Sequence, residues 1–170
     1  MGVESSVIKE RSIRMDENQF FEIIMNKGLQ LKPVMDCNQY TQKYGLELTE
    51  QEALTLLEEH KKSLRENERV EFGEGILKKL IFAFCDSPYI YQDNYVETIS
   101  SLQEIFYLYK NESLDDLSDD ELIEFMVSEF NTVCQGSLDY LEDTSLEKFA
   151  RKVRGDSLRF MRREEDEFDD

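Results

Sequence analysis

The stretch QDNYVETISSLQEIFYLY (92–109) decides the fold. Tyr95, Ile99, Leu102, Phe106 and Tyr109 recur at steps of four, three, four and three, which places five apolar side chains on one face of an α-helix. Two heptads of such a seam are too short for a coiled coil and suit a helix held in the middle of a bundle. A seam of this kind can also join copies of a chain, but the core of a single chain is the simpler reading.

Working outward, the same periodicity returns on both sides. Ile76, Leu77, Leu80, Ile81 and Phe84 predict a helix from about Glu74 to Cys85, ended by Asp86-Ser87-Pro88. Phe82 on its other side suggests burial on more than one face. Thr49-Glu50-Gln51-Glu52 is a capping box, and it opens a helix to about Asn67 with Ala53, Leu56, Leu57, His60 and Leu64 inward. Glu58, Glu59, Lys61, Lys62 and Arg65 are expected to face solvent. Ser118-Asp119-Asp120-Glu121 is a second box, with Leu122, Met126 and Phe130 inward. Thr144-Ser145-Leu146-Glu147 reads as a third, opening a last helix through Phe149, Ala150 and Val153. Asp16 to Gly28 predicts a first helix, Lys32-Pro33 a break, and Asp36–Tyr44 a short helix stopped by Gly45. No segment alternates with period two. The expectation is an all-α, irregular bundle of six or seven helices, with no sheet.

The 170 residues suit one domain, large enough to bury roughly 70 % of the surface of the unfolded chain without disulfides or metal. Residues 16–155 are expected to form it, with 1–15 a flexible N-terminus and 156–170 a flexible tail that runs from basic to acidic. Two prolines and seven glycines argue against a β-sandwich or a proline-rich linker. The three cysteines are widely spaced without a CxxC pair, which favours reduced thiols and a cytoplasmic setting. No secretory or membrane-spanning stretch is evident. Met1-Gly2 with Ser6 fits a myristoylation pattern too short to weigh.

Charge is distributed unevenly. The net charge is −18, which disfavours direct binding to nucleic acid or to an anionic membrane. Residues 111–147 hold 12 acids and no base, whereas 148–163 hold seven bases and only Asp156 as an acid. The last seven residues return to six acids around Phe168. A charge run is most simply a solvated face. The functional alternative is a docking surface for a basic protein, with Asp115, Asp116, Asp119 and Asp120 as its centre.

Chemical signatures are sparse. His60 is the only histidine and reads as a boundary residue of its helix. No closely spaced ligand pair announces a metal site, and Asp115–Glu121 lacks the glycine and the spacing of a calcium loop. Gly73-Glu74-Gly75 follows no strand and precedes no phosphate-binding lysine. Catalytic, cofactor and metal residues are therefore assigned to none. Cys134, in a glycine-containing loop ahead of a possible helix N-terminus, is the best candidate for a reactive thiol. The loop Asp86-Ser87-Pro88-Tyr89-Ile90-Tyr91 is the most distinctive, and its Asp86, Ser87, Pro88, Tyr89 and Tyr91 are candidates for protein recognition.

Four stretches carry a resemblance: Tyr44–Thr49, Gly75–Leu80, Phe84–Ile90 and Cys134–Leu138. Across about residues 16–150 the chain resembles an uncharacterised bacterial family, of Firmicutes type, whose domain has no known function. The resemblance implies an all-helical fold and a cytoplasmic bacterial setting, and no activity, cofactor or catalytic residue. Together these features point to a non-enzymatic interaction or regulatory protein that uses an acidic helical surface. A small-molecule sensor or enzyme with a pocket in the bundle is the alternative.

Overall fold

The structure is a computed structural model that describes residues 30–71 and 75–155. The expected first helix, the expected flexible ends and Phe168 lie outside the described residues. Within them the chain is all helical and contains no strand.

Residues 30–36 form α1, followed by α2 (Asn38–Thr41) and a 3-10 turn (Gln42–Tyr44). The expected break at Lys32-Pro33 does not occur. A proline's fixed φ fits a helix, and the irregularity falls instead at Cys37, whose backbone remains helical at φ −59°. Gly45, at φ +76°, ends the 3-10 turn and sends the chain into an extended run. Side chains hold that run: the Asn38 amide accepts from the Leu48 N–H and donates to the Leu48 carbonyl, both at 2.9 Å.

The first capping box is complete. The Thr49 hydroxyl accepts from the Glu52 N–H at 3.1 Å, and the Glu52 carboxylate accepts from the Thr49 N–H at 2.9 Å, opening α3 (Glu50–Glu66). Its buried stripe is Ala53, Leu56, His60 and Ser63, so the face is turned slightly from the expected one, and Leu57 and Leu64 lie at its border. Helix α4 (Ile76–Phe84) buries the five predicted positions. Phe82 is a correction: it is 38 % exposed, because its side of α4 faces a surface groove rather than another helix.

A 3-10 turn (Gln92–Asn94) leads into α5 (Tyr95–Glu112). All five seam residues are 0 % exposed, which makes α5 the centre of the bundle, with α3, α4 and α6 (Asp119–Asn131) packed around it. Ile99, Leu102 and Phe106 each contribute about 1.5–3 kcal/mol by leaving water. At α6 the Ser118 hydroxyl accepts from the Glu121 N–H at 3.2 Å, and the reciprocal half of the box is not formed.

The last helix corrects the third box. It begins at Leu138–Tyr140, where the Ser137 hydroxyl accepts from the Tyr140 N–H, passes through a π turn at Leu141–Ser145, and stays helical over 146–155. Thr144 is thus mid-helix and caps nothing. Ser145 is buried there, its hydroxyl on the Glu129 carboxylate at 3.1 Å. Gln135 and Gly136, both at positive φ, reverse the chain just ahead of Ser137, which is why the helix starts seven residues early.

Candidate functional site

Helix α6 organises the surface that the sequence singles out. The loop 86–91 meets its C-terminal end: the buried Ser87 hydroxyl lies 2.5 Å from Asn131 Oδ1, and the Tyr89 ring packs edge-on against Phe130 with centroids 6.1 Å apart. Asn94 Nδ2 donates to the Tyr89 carbonyl and Asn94 Oδ1 accepts from the Tyr91 N–H, closing the loop. Ser87 and Tyr89 are therefore structural anchors. Asp86, Pro88 and Tyr91 point outward, Tyr91 with 57 % exposure.

The acids Asp115, Asp116, Asp119 and Asp120 sit at the opposite end. Across 13 helical residues, the two candidate regions stand about 20 Å apart, so they do not form one patch. Three of the four acids are engaged. Asp115 receives Arg69 at 3.0 Å, Asp119 receives Lys110, and Asp120 receives Lys79 at 3.0 Å. Such exposed pairs contribute about 0–1 kcal/mol each. Asp116 is exposed, and its backbone N–H donates to the Ser113 carbonyl.

Between the two regions runs a groove of about 640 Å³, walled by α4 and α6. Phe82 and Ala83 on one side and Ile123 and Val127 on the other give it an apolar floor, with Asp120 and Glu124 along the α6 lip. Beyond Phe82 the apolar surface continues. Tyr40 meets the Phe82 ring edge-on at 5.2 Å and Tyr44 at 6.1 Å, and both tyrosines are 41 % exposed. Helix α6 carries five acids and no base.

A second concavity escaped the sequence reading. A cleft of about 650 Å³ opens where α1, α3, the segment after α3 and the start of α4 meet. His60 is buried in its wall, with Nε2 at 2.9 Å and 2.8 Å from the two oxygens of Glu71. The Glu71 carboxylate also accepts from the Ile76 N–H and from the Tyr107 hydroxyl, each at 3.4 Å. Burial alone would raise the Glu71 carboxyl, but the hydrogen bond and charge of His60, with those two donors, hold it below its ordinary value. Burial and the neighbouring Glu71 push the Tyr107 phenol upward. Gly75 makes room for this arrangement, since a Cβ there would lie 2.0 Å from Glu71 Oε1. Glu71 is eleven residues from His60 and Tyr107 is 36 from Glu71, separations at which local spacing carries no signal. What the sequence did offer was the run of bases at Lys61, Lys62 and Arg65 beside Leu57 and Leu64.

Cys134 is buried, and its thiol is raised by burial, the opposite of the lowering expected at a helix N-terminus; Ser145 Oγ lies 3.4 Å away. Cys37 and Cys85 are likewise buried, with thiols raised by burial. Among the described residues no group of three metal-ligating side chains converges, and no helix is long and apolar enough to cross a membrane.

Comparison with curated proteins and with solved structures returns no match. Comparison with protein families does: residues 33–159 match a family described as "Family of unknown function (DUF6323)". The match takes in all four of the stretches that carried the resemblance, begins later than the expected residue 16 and runs past 150. It covers well over half of the chain, from α1 through the last described helix, and the protein accordingly belongs to the DUF6323 family.

Proposed function

We propose that this protein is a non-enzymatic interaction protein of the bacterial cytoplasm, and that the groove between α4 and α6 holds an amphipathic, basic helix of a partner protein. The observation that supports this reading is the groove itself: an apolar floor left open beside Phe82, bordered by a helix whose charges are all negative. Helix-in-groove recognition needs an apolar trough of this kind for the partner's i, i+3, i+4 and i+7 positions. Glu121 and Glu124 have no ion-pair partner among the described residues and supply the complementary charge. The net charge of −18 steers a basic partner toward the molecule before contact.

The test uses a synthetic 15-residue peptide of leucine and lysine in helical period, read by fluorescence anisotropy, with a leucine and glutamate peptide as control. The Leu/Lys peptide is expected to bind, to weaken as salt rises, and to lose about tenfold in affinity, about 1.4 kcal/mol, with Phe82→Glu or Glu124→Lys. Equal binding of the two peptides, or an affinity unmoved by Phe82→Glu, overturns the reading. Both substitutions are at exposed positions and leave the core intact.

A further inference from the structure

The cleft behind His60 is basic in a chain whose net charge is −18. In a chain with 38 acids and 20 bases, its wall presents, among the described residues, Lys61, Arg65, Arg69 and Lys78 against one acid, Glu71. That acid is already engaged: His60 Nε2 lies within 2.9 Å of both its oxygens, and Ile76 and Tyr107 donate to it. Arg69 is turned toward Asn111 and Asp115. Lys61 and Arg65 have no ion-pair partner among the described residues. They stand four residues apart on α3, so their like charges share one face and repel when nothing lies between them. On the neighbouring face the same spacing is used for an attractive pair, Lys62 with Glu66. Below the two bases the cleft is apolar, lined by Val34, Leu57, Leu64 and Leu77. Its volume of about 650 Å³ lies within the range of small-molecule sites.

The geometry points to a binding site for a free, small organic anion with an apolar body: a carboxylate or phosphate head between Lys61 and Arg65, and a hydrocarbon portion on the leucines beneath. The anion relieves the repulsion between the two bases, and the apolar portion fills surface that is otherwise wet. Four bases against the single carboxylate of Glu71 give the described wall of the cleft a net positive charge. The residues that line this site are distinct from those that line the groove, and the proposal does not depend on the docking reading.

The test is calorimetric titration of the full chain with octanoate, octyl phosphate, 1-octanol and octylammonium, all kept below micelle-forming concentration. Octanoate and octyl phosphate are expected to bind with one site per chain, and the neutral and cationic compounds at least about tenfold more weakly. The double substitution Lys61→Gln/Arg65→Gln, on exposed positions, is expected to reduce octanoate affinity about tenfold or more while leaving the unfolding midpoint of the unliganded protein in place. Binding of octylammonium as tight as that of octanoate overturns the proposal, as does octanoate binding unchanged by the double substitution. So does failure of both anions to bind. Anionic phospholipid vesicles serve as the last control, and retention of the protein on them would reassign the bases to a membrane surface.

Discussion

Single residues fix local geometry where a left-handed backbone or a close contact leaves few alternatives. Gly136 combines two constraints: its φ is +81°, and a Cβ there would lie 2.5 Å from the Tyr89 ring. Gly45 has a similar φ of +76° with nothing within 4 Å of a Cβ. Alanine at Gly45 therefore meets only the left-handed penalty of about 1–2 kcal/mol. Alanine at Gly136 must also push an aromatic ring that packs on Phe130, for a total of about 3–4 kcal/mol. Urea unfolding is expected to rank Gly136→Ala well below Gly45→Ala, and equal losses would show that the ring moves aside without cost. His60 teaches a related lesson. Its place on an inward face was legible from Leu56 and Leu64, but its partner was not, because a carboxylate eleven residues away reaches it only through a turn that local spacing does not specify.

Among the elements, the most legible were those whose apolar period ran longest. The α5 seam and the α4 stripe were readable because burying five side chains on one face leaves no second solution. Capping boxes proved weaker evidence, since the same four-residue pattern describes a true helix start at Thr49 and a mid-helix stretch at Thr144. What separates them is the chain ahead: an extended run before Thr49, and before Thr144 a helix already begun at Ser137. Thr49→Ala is accordingly expected to cost about 1 kcal/mol and Thr144→Ala to fall within about 0.5 kcal/mol of zero, measured by chemical denaturation. A matching loss at Thr144 would restore the cap. The rotation of α3 toward Ser63 was hidden for another reason. Hydrophobic period sees leucines, whereas a small polar side chain can go deeper where helices come close.

Over the whole molecule, charge dominates. The acids at 115, 119 and 120 are drawn to bases from the segment after α3, from α5 and from α4, so one acidic stretch ties three parts of the bundle together. Protonation tests another part of this network. Because the Glu71 carboxyl is held below its ordinary value of 4.5 in the folded protein, the unfolded chain binds more protons as pH drops. Its contribution is complete above that value and is lost as pH falls through and beneath it. Wild-type protein is expected to lose more stability than Glu71→Gln between neutral pH and about pH 3.5, judged from urea midpoints. Parallel losses would mean that Glu71 is not held by His60 in solution.

The π turn at Leu141–Ser145 also sets a phase. A π turn is one residue longer than the α-helical turn it replaces, and each residue of an α-helix advances the direction of its side chain by about 100°. Residues 146–155 are thus indexed to the core by one extra residue, which is what brings Phe149 onto Tyr109, with ring centroids 5.1 Å apart. Deleting one residue within the turn would keep the helix and rotate everything after it by about a quarter turn or more, carrying Phe149 out to water. The final helix can therefore be read as a dial, with its bearing set at 141–145 and its pointer at Phe149.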